Sequence, residues 1–185
     1  MTRIFYDTEF LEDGRTIALI SIGMVRESDG AELYLVNRDM PLRRIRRHDW
    51  LMKNVIPALP QGHGDRRNHV PNSWLFDYTD PLVKRRATIA ADVRRFIQDT
   101  TAPELWAWYG AYDHVALAQL FGRMIDLPNG VPMWTNDLRQ EAERLGNPQL
   151  PEQPSGVHNA LADARHNLVR ARFLDRLTAT EEPTR

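Results

Sequence analysis

Apolar positions in the opening part of the chain fall in short dense runs separated by turn residues, not at helical spacing. Ile4-Phe5-Tyr6, then Ile17 to Val25, then Leu33 with Leu35 and Val36 predict strands over residues 3–8, 16–26 and 31–37. Ser28-Asp29-Gly30 supplies a hairpin turn between the second and third, so the chain opens as an antiparallel meander. Residues 39–55 read as helical. Residues 57–81, rich in Pro, Gly, Asn and aromatic side chains, form a longer irregular excursion than compact domains usually contain. Residues 80–99 predict a strong helix whose apolar face is Leu82, Ile89, Val93, Phe96 and Ile97.

The second half alternates strand and helix. Residues 104–109 predict a fourth strand, 114–123 a helix and 133–135 a short fifth strand. Asn136 or Asp137 caps a helix running through Leu145, and 160–177 is the last long helix. Residues 178–185, small and charged, read as a disordered tail. At 185 residues the chain is long enough for one sizeable core, so a single domain over 1–177 is expected.

Four acidic residues in three separated segments stand out against this pattern. Asp7 and Glu9 lie two apart in Ile4-Phe5-Tyr6-Asp7-Thr8-Glu9-Phe10, and residues two apart on a strand share a face. Acidic residues are depleted in strands, and two adjacent carboxylates repel each other. A bound divalent cation is a physical reason for placing both there. Hard oxygen donors in a chain without cysteine favour Mg²⁺ or Mn²⁺ over zinc. Asp113 follows the fourth strand, where open α/β sheets place their sites, although alone it would serve equally as an N-cap for a helix starting near His114. His158 and Asp163 are five apart and would not share a face of one continuous helix. A helix that starts after His158 lets both reach one cleft.

The ordered set Asp7-x-Glu9, Asp113 and His158-x-x-x-x-Asp163 resembles the DEDD superfamily of 3′-to-5′ exonucleases, and its closing histidine the DEDDh branch. The wording around it, Asp-Thr-Glu-Phe-Leu-Glu-Asp-Gly-Arg-Thr-Ile followed by Leu-Ile-Ser-Ile-Gly, is similar to the small actinobacterial 3′-exoribonucleases described as polyadenylate-specific. The resemblance covers residues 3–177 and implies a ribonuclease H-like α/β fold, a mixed central β-sheet flanked by helices. It implies that Asp7 bridges two Mg²⁺ ions, that Glu9 and Asp163 share one of them, and that Asp113 reaches the site directly or through water. It also implies that His158 acts as general base, that Glu9 accepts the terminal 3′-hydroxyl, and that Phe10 and Leu11 line the terminal-nucleotide pocket. The expected partner is single-stranded RNA or an RNA 3′ overhang, and the expected assembly is a homodimer. A DNA exonuclease of proofreading or repair type, a non-catalytic nucleic-acid-binding module and a dinucleotide phosphodiesterase are the alternatives.

Charge adds a local feature. The formal net charge of −1 carries no global nucleic-acid signature. Arg38, Arg43, Arg44, Arg46, Arg47 and Lys53, followed by Arg66, Arg67, Lys84, Arg85 and Arg86, form a basic stretch suited to phosphates, or equally a solvated face. Trp50, Trp74, Phe76 and Tyr78 could stack bases, close a subunit interface or form a satellite apolar cluster. No run is apolar enough to span a bilayer, which with the early first strand makes the cytoplasm the expected location.

Overall fold

The computed structural model describes residues 1–62 and 75–181. Six strands form one mixed sheet in the order β4-β3-β2-β1-β5-β6. β1 (Thr2–Glu12), β2 (Ile17–Arg26) and β3 (Glu32–Asn37) are the antiparallel meander; β5 (Pro103–Ala107) lies parallel to β1, and the two-residue strands β4 (Val83–Lys84) and β6 (Asn136–Asp137) finish the edges. Such a mixed sheet, flanked by helices, is the architecture expected of the chain. β1, buried at nearly every position from Ile4 to Leu11, occupies the middle.

Alternation along β1 divides the core. Ile4 and Tyr6 point to one face, where they pack with Ile22, Met24 and Leu105 against α3 (Arg86–Gln98) and α4 (Gly110–Ala118). Phe5 points to the other, beneath α5 (Leu138–Arg144) and α6 (Ala160–Glu181). Asp7 and Glu9 share the parity of Phe5 and so emerge on the α6 side. A third cluster joins Leu11, Ile20 and Val36 to the short helices α1 (Leu42–Ile45) and α2 (Asp49–Asn54) through Ile45, Leu51 and Val55.

Several boundaries differ from those expected, each for a local reason. The helix predicted over 39–55 is two pieces, because the chain turns extended at His48, whose ring Nδ1 accepts the Leu51 amide at 3.3 Å and caps α2. The helix predicted over 80–99 begins only at Arg86. Asp77 and Asp80 accept the amides of Thr79 and Leu82, at 2.8 and 2.7 Å, and hold the preceding segment in turns that lead into β4. Leu82 accordingly faces outward, 37% exposed. The fifth strand expected over 133–135 is instead β6 at Asn136–Asp137. α6 continues to Glu181, through four residues expected to begin a disordered tail; residues 182–185 lie outside the described residues.

Candidate active site

The site is assembled where β1 meets the start of α6. Asp7 pairs with Gly23 and Glu9 with Ser21 across the β1–β2 ladder, and a register shift follows at Glu9/Phe10. Gly23 is required by close packing. A Cβ built on it would lie 2.3 Å from the backbone of Ala160 and Leu161, so the absence of a side chain lets the N-terminus of α6 rest directly on the sheet beside Asp7. Asn159 caps that helix: its Oδ1 accepts the Ala162 amide at 3.1 Å, while its Nδ2 donates to the Tyr34 hydroxyl and the Ala58 carbonyl. Asp163 is thereby carried one turn into α6 and over the strand. Carboxylate oxygens of Asp7, Glu9 and Asp163 come within 4.8 Å of one another. Three convergent carboxylates without sulfur ligands suit a hard divalent cation.

Asp163 is aimed by its neighbours. Gln153 Nε2 donates to its Oδ1 at 2.6 Å and the His158 amide donates to its Oδ2 at 3.0 Å. His158 adopts a left-handed conformation, φ 68°, which is uncommon for a residue with a Cβ, and this turns its amide back toward Asp163. The expected arrangement, with imidazole on the approach and carboxylate one turn in, is the one observed.

Asp113 reaches the site from the opposite side of β1. It is not the N-cap of its helix. α4 begins at Gly110, three residues earlier than Asp113, because Asp137 accepts the amides of both Tyr109 and Gly110, at 3.2 and 3.1 Å, with Tyr109 left-handed at φ 56°. Asp113 therefore sits in the first turn, only 6% exposed, and its Oδ1 accepts both the amide and the hydroxyl of Thr8, at 2.8 and 2.6 Å. Thr8 lies between Asp7 and Glu9, so this pair of hydrogen bonds locks α4 to the acidic strand. Asp113 is not one of the three converging carboxylates.

Concentrating four carboxylates under apolar walls raises their proton affinity. Burial pushes Glu9 up to about 8, with Asp163 and Asp113 adding repulsion. Burial also raises Asp7 well above its ordinary value, followed by repulsion from Asp113, Asp163 and Glu9; Arg170 opposes the shift. Asp113 rises to about 6, chiefly by burial, against the hydrogen bonds from Thr8. Asp163 is raised by burial and held back by Gln153 and the His158 amide. Such a site gains most from a cation that replaces the protons.

A cleft of about 270 Å³ opens beside Glu9, lined by Phe10, Glu12, His48 and Trp50 among others. Trp50, 49% exposed, meets the His158 ring edge-on at 4.8 Å between centroids. Phe10 lies half-buried on the cleft wall and stacks at 6.2 Å with Tyr112, which is 56% exposed. Leu11 does not line the cleft. It is 4% exposed and belongs to the cluster under α1 and α2, because the strand's alternation turns it inward after the bulge. Phe76 is buried in that cluster with Tyr78 against it, their rings 4.7 Å apart, which is the satellite-cluster reading; Trp74 lies outside the described residues.

The basic stretch is divided. Arg44 pairs with Asp13 at 2.5 Å, Arg85 with Asp39 at 3.9 Å, and the Arg86 guanidinium donates to the Gln119 carbonyl. Arg43, Arg46 and Arg47 are exposed along α1 and the turn leading to His48 and the cleft. Arg66 and Arg67 lie outside the described residues.

No family model matches the chain. Two curated proteins do, the 3′-5′ exoribonucleases of Mycobacterium tuberculosis strains CDC 1551/Oshkosh and ATCC 25618/H37Rv. Each is 44% identical over 185 residues, covering 99% of this chain and 97% of the relative. The chain belongs to this 3′-5′ exoribonuclease family. Among solved structures it is similar to a chain in the yeast NOT1 MIF4G domain co-crystallised with CAF1, at a TM-score of 0.49 and 12% identity over 98% of this chain and 81% of that one. It is also similar to the Neurospora crassa Pan2 catalytic unit, comprising protease and nuclease domains, at 0.46 and 14% identity over 99% and 30%.

This member of the exoribonuclease family carries positioning residues that the acidic motifs do not announce. Gly23 had a signal, an isolated glycine inside an apolar strand, which marks a close backbone approach. Asn159, a capping residue type just before an apolar helix, had one as well. Thr8 as donor to Asp113, Asp137 as anchor of Tyr109 and Gly110, and Tyr112 against Phe10 had none, because each acts across elements distant in sequence, and Gln153 had none because it sits in an irregular segment without a periodic pattern.

Proposed function

We propose that the chain is a metal-dependent 3′-to-5′ exoribonuclease that releases nucleoside 5′-monophosphates from the 3′ end of single-stranded RNA or an RNA overhang. The observation that carries this reading is the convergence of Asp7, Glu9 and Asp163 within 4.8 Å, with Glu9 also lining a cleft walled by Phe10 and Trp50. The name shared by the two mycobacterial relatives supports the choice of RNA and of direction.

Asp7, Glu9 and Asp163 would hold two divalent cations, Mg²⁺ or Mn²⁺, with Asp113 contributing directly or through water. When bound, such ions acidify a water and offset charge on the leaving 3′ oxygen. The protein's own groups do the rest. His158, steadied by the edge of Trp50, takes the proton from the attacking water. Glu9 accepts the terminal 3′-hydroxyl, which selects chain ends over internal bonds. Phe10 gives the terminal base an apolar face, and Arg43, Arg46 and Arg47 on the approach to His48 offer cations to the phosphates behind it.

A time course on 5′-labelled single-stranded RNA with Mg²⁺, beside DNA of the same sequence and an Asp7→Ala control, tests this. The expected result is a ladder that shortens from the 3′ end, faster on RNA and absent in the control. Faster shortening of DNA would replace the substrate class. Binding of both polymers without shortening of either would reduce the chain to a binding module.

A further inference from the structure

α6 carries a second feature on the same side as Asp163. Arg170 lies seven residues on, two helical turns, and so shares the face of Asp163. Side chains on a helix lean toward its N-terminus, which brings a long side chain at 170 back toward the acidic site. Asn167 fixes where it goes. Asn167 is 1% exposed, donates through Nδ2 to the carbonyl of Tyr6, the residue before Asp7, and accepts from Arg170 Nη1 at 3.1 Å. On its other side the Arg170 guanidinium lies over the Trp108 ring, 4.5 Å from the centroid.

The arginine is thus held within electrostatic reach of Asp7 and Asp163, and among the described residues no hydrogen bond or ion pair joins it to either. Its buried Nε has no hydrogen-bond partner among the described residues. Other arginines on this chain close directly onto carboxylates, as Arg3 does on Glu27 and Asp175 and Arg165 on Glu32. Burial lowers the proton affinity of Arg170 while Asp163 and Asp7 raise it, and Arg170 in turn lowers both carboxyls. A contact ion pair would occupy the oxygens a metal needs. A cation kept back by Trp108 and Asn167 offsets their repulsion and leaves those oxygens open.

We propose that Arg170 is a resident counter-cation of the acidic site, a positioning residue that keeps Asp7 and Asp163 converged before metal arrives and weakens metal binding in proportion. The inference rests on the metal-dependent reading above. Its sign is distinctive: loss of the charge costs the metal-free protein more than the metal-bound one, and tightens binding of the dication.

The test is thermal unfolding of the full chain and its Arg170→Gln and Arg170→Lys variants, in chelator and in saturating Mg²⁺, with the Mg²⁺ midpoint read by isothermal titration. Arg170→Gln is expected to lose more Tm in chelator than in Mg²⁺, and its Mg²⁺ midpoint to fall about fivefold, the order of a unit charge acting on a dication across a few ångströms in a largely screened cleft. Arg170→Lys, which keeps the charge, is expected to stay near the wild type. Folding of Arg170→Gln only in Mg²⁺ would be the same result in stronger form. Equal Tm losses in both conditions, an unchanged or raised midpoint, or a lysine variant as affected as the glutamine one would overturn the proposal and leave Arg170 as packing on Trp108. A wild-type protein whose Tm responds to neither Mg²⁺ nor Mn²⁺ would instead overturn the metal-dependent reading, and this inference with it.

Discussion

Asp163 and Asp113 are held by different partners, and the difference decides how each should respond to substitution. Asp163 depends on polar partners at both oxygens, from Gln153 and the His158 amide. Asp163→Asn keeps the volume and one acceptor but loses the charge a metal needs. We expect an intact circular-dichroism spectrum with turnover on RNA reduced by more than the roughly 10- to 100-fold that loss of an outer-shell partner costs; near-normal turnover in saturating Mg²⁺ would remove Asp163 from the ligand set. Trp50 meets the His158 ring edge-on and is itself 49% exposed. Trp50→Ala should therefore lower kcat through a mobile imidazole by about tenfold, less than the roughly 10²- to 10⁴-fold that general-base catalysis supplies, while Tm moves by only a few degrees. An unchanged kcat with a raised KM would make Trp50 a base-stacking residue only.

At the scale of elements, two junctions set the geometry. The first is β2 against α6 at Gly23. Gly23→Ala places a Cβ where the Ala160 and Leu161 backbone already is, so α6 must retreat and take Asp163 with it. Overpacking of this kind costs about 1–3 kcal/mol, and here the obstacle is backbone, which cannot change rotamer. The expected outcome is a lowered Tm together with a weakened response to Mg²⁺; a variant with wild-type Mg²⁺ stabilisation would show that α6 tolerates displacement. The second junction is β6 against α4. Asp137 accepts three amides, from Tyr109, Gly110 and Arg139, and so starts two helices at once. The sequence offered it, or Asn136, as the cap for α5 and was silent on α4, because the partner amides lie 27 and 28 residues upstream. Local signals also overextended two helices, since neither the capping ring of His48 nor the turns at Asp77 and Asp80 register as an apolar period.

At the scale of the whole molecule, the site taxes the stability of the fold. A carboxyl whose folded pKa exceeds its unfolded value binds its proton more tightly when folded, so the contribution of Glu9 is fully present below 4.5 and is lost as pH rises to about 8. Asp113 acts the same way between 3.8 and about 6. In chelator the Tm should therefore fall across this window, Glu9→Gln should flatten the fall, and added Mg²⁺ should restore most stability at the alkaline end; a metal-free Tm that rises with pH would contradict the buried-carboxylate account. No described helix is long and apolar enough to cross a membrane, and the whole arrangement is one sheet with α3 and α4 on one face and α5 and α6 on the other. Much of this was readable beforehand: the meander, the shared face of Asp7 and Glu9, and the break before the last helix follow from strand alternation and capping chemistry, which are local. What only the tertiary structure decided is which carboxylates converge, that Leu11 turns inward, that Asp113 is tied to Thr8, and that Arg170 is held by Asn167 and Trp108. Those outcomes depend on contacts between residues as far apart as Thr8 and Asp113 or Tyr6 and Asn167, and a one-dimensional pattern carries no term for a distance through space.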